Sequence, residues 1–215
     1  FALAALIPLF SYITGKKPWE TVKVAFFFCV FFSAGTLYWI CCSTVAGLIG
    51  TLIIVPLYSV LFFMLMSSCY QSWGKKSFWL APFLWTGIEY LSSLGELAFP
   101  WNLLGYTQSY SLELVQTVSV TGVYGLSFLI VMINVLFFQI FHEENSQKKR
   151  IAFSVLVLLI YAAPWMYGYS RLKKADSYEK KKTVSMIQGN IDPFQKCTPA
   201  FQDPKVAISY RPSRT

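Results

Sequence analysis

Apolar runs close to 20 residues long, separated by short turns, dominate this sequence and leave it few ways to fold. Val24 to Cys42, Leu48 to Tyr70 and Ile151 to Tyr169 contain no charged residue, and Phe78 to Leu94 contains only Glu89. A further run lies within Leu114 to Phe141. In hydrocarbon, backbone N–H and C=O groups must find partners inside the segment itself, so runs of this length become membrane helices. Charged residues make up 13% of the chain, against about 25% in an ordinary soluble domain. The expectation is an all-α polytopic membrane helix bundle over residues 1–169, with spans near 24–42, 48–70, 78–94, 114–141 and 151–169. Residues 1–13 are too short to cross and read as the inner end of a helix that begins earlier. The opening at Phe1 without Met fits a natural N-terminus lying upstream.

The formal charge of +8 does not describe a nucleic-acid-binding face. Eight of the 18 Lys and Arg fall in three clusters between apolar runs, and ten follow Tyr169. The turns at 14–23, 71–76 and 142–150 carry Lys and Arg; those at 43–47 and 95–113 carry none. Basic turns stay on the cytoplasmic side, so the basic-free turns and everything after Tyr169 are expected outside. The positive tail does not contradict this, because long domains translocate largely regardless of charge.

The turn from Ser92 to Gln108 is longer than the ~2–8 residues a helix connection requires and more particular in composition. Phe99-Pro-Trp101 is followed by Gly105-Tyr-Thr-Gln108. Amphipathic rings concentrate at membrane interfaces, and Pro100 and Gly105 suit turns. Anchoring therefore competes with binding as the role of Trp101 and Tyr106. Glu89 is the only charge deep in a predicted span; a carboxyl near mid-bilayer costs about 2.5–3.5 kcal/mol on insertion scales. It should face the bundle, a polar cavity or a partner, with a helix-packing hydrogen bond as the plainer alternative. Asn134 is placed to hydrogen-bond across helices.

From Ser170 the composition changes. Residues 170–182 form a basic linker, and Thr183-Val-Ser-Met-Ile-Gln-Gly-Asn-Ile191 alternates like a first strand running into a loop. Residues 192–215 carry four prolines and no sustained period. Cys29, Cys41, Cys42 and Cys69 belong to apolar segments, and Cys197 has no neighbouring base. His142 stands beside two Glu without the His/Cys clustering that zinc needs. No metal and no cofactor is expected.

Taken in order, the motifs resemble the apolipoprotein N-acyltransferases of bacterial inner membranes. The resemblance rests on Ser33-Ala-Gly-Thr-Leu-Tyr-Trp39, Ala81-Pro-Phe-Leu-Trp85 with Glu89-Tyr-Leu91, Phe99-Pro-Trp101 and Leu104-Gly-Tyr-Thr-Gln108. It continues through Gly122-Val-Tyr-Gly-Leu-Ser-Phe128 and Asn134, and closes at Val184-Ser-Met-Ile-Gln-Gly-Asn-Ile191. It implies eight membrane helices carrying a periplasmic nitrilase-like α/β domain, whose opening strand would be 183–191. It also implies transfer of an acyl chain from a phospholipid donor to the free amine of a diacylglyceryl-cysteine apolipoprotein. That chemistry runs through a Cys thioester with a Glu base and a Lys oxyanion stabiliser. None of the three has a matching position here, so this stretch is expected to be inactive by itself and no catalytic residue is assigned. Because the long aromatic loop carries no basic residue and lies on the same side as the strand at Val184, Phe99, Pro100, Trp101, Tyr106, Gln108 and Glu89 are expected to bind lipid or substrate, with the helices and the loop forming the lateral gate and floor where a two-chained lipid meets the catalytic domain. The resemblance places the chain in the inner membrane, with the Phe99–Trp101 loop and the tail on the periplasmic side. Two departures stand out: Ala98 where the family usually has Gly, and Ser92 where it has Arg. A small permease or channel subunit with Glu89 in its path, and a non-catalytic membrane scaffold, are the competing readings.

Overall fold

A computed structural model describes residues 2–96, 98–141 and 146–176, with the side chains of 175 and 176 excepted. Among the described residues all regular structure is helical. Seven α-helices follow in order: α1 (Ile7–Ile13), α2 (Pro18–Leu37), α3 (Val45–Trp73), α4 (Ala81–Leu91), α5 (Leu112–Val115), α6 (Val118–Phe141) and α7 (Gln147–Asp176). Short 3-10 turns occupy Tyr38–Cys42, Gly74–Leu80, Pro100–Asn102 and Leu104–Gln108. Four stretches are long and apolar enough to cross a bilayer: Pro18–Cys42, Val45–Leu91, Val118–Phe141 and Gln147–Lys174. The chain is therefore a multi-pass membrane protein. The expected first strand at 183–191, the tail from 192 and His142 lie outside the described residues.

Local chemistry sets the helix limits. Pro18 opens α2, where a missing N–H costs nothing, and Glu20 accepts the Lys17 backbone N–H at 3.4 Å. Thr44 caps α3 by accepting the Gly47 N–H at 2.8 Å. Pro56 sits inside α3 and is buried; bundle neighbours make such a proline tolerable in a membrane. Gly74, at φ 57°, ends α3 in a conformation that side-chain-bearing residues avoid. The chain then doubles back, and the rings of Phe62 and Trp85 meet edge-on at 4.9 Å. The stretch expected as a span at 78–94 is thus built from the second half of a 3-10 elbow, α4 and the start of the loop. In α6, Gly122 (φ 68°, ψ 175°) breaks the helix and separates its first turn from the rest. α7 runs past Tyr169 to Asp176, so the start of the expected basic linker is helical. Lys173 and Lys174 lie in the last turn, where cations favour the helix dipole.

α6 is the central helix, with Leu126, Ile130, Val131, Ile133, Val135 and Leu136 buried, whereas α7 is largely exposed. Phe10, Phe78 and Phe138 form a triangle of rings with centroids 4.7–6.0 Å apart, joining α1, the Gly74 elbow and α6. Asn134, fully buried, accepts the Leu6 N–H at 2.9 Å and donates to the Ala2 and Ile130 carbonyls at 2.8 Å. It thereby satisfies the start of α1 from α6, as a polar residue in a span is expected to do. Ser67 donates to the Lys16 carbonyl at 3.0 Å, fixing the basic turn after α1 near the end of α3. The outer faces of α2, α3 and α7 expose Phe27, Phe31, Ile49, Ile53, Leu158 and Leu159, an apolar surface suited to lipid.

Candidate functional site

The Ser92–Gln108 loop is sewn onto the bundle by backbone and side-chain bonds. At its base the Phe99 N–H donates to the Ser92 carbonyl at 2.8 Å. Further along, the Leu104 N–H donates to Glu89 Oε1 at 2.6 Å, and the Gly105 N–H donates to Ser127 Oγ of α6 at 2.8 Å. Tyr124 of α6 donates to Ser93 Oγ at 2.8 Å, its ring edge-on to Tyr90. Gly105 allows the close approach, because a Cβ there would stand 2.7 Å from the Val123 carbonyl oxygen.

Glu89 is 8% exposed. Trp85, one turn earlier on α4, donates its Nε1–H to the same Oε1 at 2.9 Å. Two N–H groups thus converge on one carboxyl oxygen, while Oε2 is buried and makes no hydrogen bond among the described residues. One oxygen ties the loop to α4, and Glu89 is among the residues that line a cavity.

That cavity has a volume of about 570 Å³, within the ~300–1,000 Å³ range of small-molecule sites. Leu6 just before α1 and Leu9 within it contribute, α2 contributes Phe28 and Phe32, and α3 contributes Tyr58 and Phe62. α4 supplies Trp85 and Glu89; the loop closes one side with Phe99, Leu103 and Gln108. Glu89 is the only charged residue among those lining it. Ser33 of α2 is also among the lining residues, and its buried Oγ makes no hydrogen bond among the described residues.

The six residues singled out in the sequence divide into two groups. Glu89, Phe99 and Gln108 line the cavity. Trp101 does not; it is 62% exposed and stacks between Trp39 (5.1 Å, 22°) and Phe99 (6.3 Å, 23°). Pro100 opens a 3-10 turn, and Tyr106 is half-exposed and does not line the cavity. Sequence reasoning missed Ser33, Trp85 as the Glu89 partner and Ser127 as the anchor for Gly105. The Trp85 pairing had a signal, since residues four apart share a helix face.

Residues 1–136 match the family described as apolipoprotein N-acyltransferase N-terminal domain. The chain is similar to the apolipoprotein N-acyltransferase of Geobacter metallireducens, 34% identical over 226 aligned positions, covering 99% of this chain and 43% of that protein. It is also similar to the Chlorobaculum tepidum protein of the same name, 30% identical over 184 positions, covering 84% and 33%. The Treponema denticola apolipoprotein N-acyltransferase 1 is 32% identical over 145 positions. The chain therefore spans less than half the length of these relatives. No solved structure matches it. With the family matched over most of its length, this chain belongs to the apolipoprotein N-acyltransferases.

Proposed function

We propose that this chain is the membrane part of an acyltransferase of the bacterial inner membrane and that its cavity holds one two-chained lipid substrate. The donor is a phospholipid and the acceptor a diacylglyceryl-apolipoprotein, with the loop and the tail on the periplasmic side. A Cys thiolate elsewhere in the full-length enzyme attacks the donor ester carbonyl, releasing a lysophospholipid and leaving a thioester. The acceptor amine then attacks the thioester, forming the amide and returning the thiol. The required Cys, Glu and Lys have no matching positions in this chain, whose part is to seat lipid beside that chemistry. Phe99 and Gln108 are cast as the loop's contacts with the lipid, and Trp101 with Pro100 and Tyr106 as the surface that holds the loop at the interface.

The observation that carries this reading is the apolar cavity between α1, α2, α3 and α4, closed on one side by the loop. Ser59 also lines it and is partly buried. Replacing Ser59 with Trp would fill the space with a side chain. Native mass spectrometry of the solubilised chain should then show lost phospholipid retention, and full-length enzyme with the same change should lose acyl transfer. Unchanged retention and transfer would refute the reading.

A further inference from the structure

We infer that Gly168 is a positioning residue: having no side chain, it lets α5 pin the outer end of α7 to the loop that closes the cavity. Among the described residues of α7, Gly168 alone is buried. It faces the backbone of Glu113 in α5. A Cβ at 168 would overlap the Glu113 carbonyl oxygen and stand 2.8 Å from the Glu113 Cα. Among the described glycines, only Gly105 and Gly168 meet the backbone of another element in this way, and Gly168 meets it more closely. One residue earlier, the Tyr167 hydroxyl lies 3.5 Å from Ser119 Oγ at the start of α6.

α5 is itself fixed to the loop. The Ser111 N–H, just before it, donates to the Gln108 carbonyl at 2.9 Å. Leu114, fully buried, packs with Leu126 and Ile130 of α6 and with Leu104, the loop residue whose N–H Glu89 holds. α7 is the partner that needs pinning. Pro164 lies inside it; a proline removes the N–H that would bond residue 160, so a helix bends most readily there. Gly168 follows one turn later and stops the outer segment, which leads to residues 177–215, from swinging about Pro164. The inference rests on the proposed reading that a Cys in the part of the enzyme reached through α7 acts on lipid seated in this cavity. Transfer then depends on the distance between the two, and a misplacement of about 1 Å can cost about 100-fold. Neither Gly168 nor Glu113 lines the cavity, so the pin sets that distance without touching lipid.

The test uses full-length enzyme carrying Gly168→Ala, with Ala162→Leu at an exposed position of α7 as the control for added bulk. Ketone-bearing amino acids at Tyr110 and Lys173, both exposed, take spin labels and leave the native cysteines alone. Pulsed electron resonance then reads the distance between the loop and the outer end of α7. The parent and Ala162→Leu should give one narrow distance, which Gly168→Ala displaces or broadens. In acyl transfer, Gly168→Ala should lose about tenfold or more in kcat. Its KM for phospholipid, and the phospholipid it retains in native mass spectrometry, should match the parent. Tyr167→Phe removes only the hydroxyl facing Ser119 and should lose about two- to tenfold in kcat; it decides the matter if Gly168→Ala does not fold. An unaltered distance in Gly168→Ala, an unaltered kcat in the variants that fold, or a loss carried by KM and lipid retention overturns the inference and leaves the lipid cavity standing. A parent enzyme that retains no lipid and transfers no acyl chain overturns the proposed function and the inference together.

Discussion

Gly105→Ala probes the joint between the loop and α6. The added Cβ would stand 2.7 Å from the Val123 carbonyl oxygen, 2.9 Å from Val123 Cγ2 and 3.2 Å from Ser127 Oγ. The nearest atom is backbone within a helix, so the loop must move rather than α6. Overpacking of this kind costs about 1–3 kcal/mol. Lifting the loop also stretches the Leu104-to-Glu89 and Gly105-to-Ser127 bonds, at about 0.5–1.5 kcal/mol each. At roughly 2–4 °C per kcal/mol for a chain of this size, melting should fall by an amount of order 10 °C. Detergent-solubilised protein melted under tryptophan fluorescence gives the readout, because Trp101 and Trp39 report on the loop directly. Gly35→Ala is the matched control. Nothing lies within 4 Å of a Cβ at Gly35, and alanine favours a helix interior over glycine. That variant should melt at or above the parent. Equal melting of Gly105→Ala and the parent would refute the close approach.

Three further outcomes follow from the geometry. Asn134→Leu removes three hydrogen bonds and leaves the Leu6 N–H unpaired; at about 0.6–2 kcal/mol per interhelical bond, hydrogen exchange at residues 2–10 should accelerate while α7 is unaffected. Thr44→Ala should lower stability by about 1 kcal/mol through loss of the α3 cap, whereas Thr44→Ser should restore it, as read by melting. A double-mutant cycle of Trp39→Ala and Trp101→Ala should give a coupling of about 0.5–1.5 kcal/mol, and additive effects would show that the stack stabilises nothing.

The apolar runs, and the turn chemistry of Pro18, Thr44 and Gly74, made the helical path readable from sequence, since each acts on its own few residues. Glu89 was readable as a conspicuous charge for the same reason. Its partners were only partly so. Trp85 lies one helical turn away, but the Leu104 N–H reaches Oε1 only after the loop has folded back. Ser33 carried no signal, because a serine in an apolar run is ordinary until packing leaves its hydroxyl without a bond. The composition placed Trp101 at an interface, but its stacking between Phe99 and Trp39 depends on tertiary structure. The loop's two groups, Phe99 and Gln108 on the cavity and Trp101 and Tyr106 outside it, are separated by backbone turns that residue type alone does not specify.

The break at Gly122 bears on the thickness of membrane this protein fits. Residues 123–141 form an uninterrupted helix, about 28 Å long at 1.5 Å per residue, close to the hydrocarbon depth of an average bilayer. The turn before the break cannot extend that rod, because Gly122 redirects the chain. In a thicker membrane α6 gains no length on the side of Gly122, and tilting would only shorten its reach across the bilayer. The surrounding lipid must thin to meet it, at a fraction of a kcal/mol per Å. One glycine thereby makes the central helix a gauge of bilayer thickness, favouring membranes whose core already matches it.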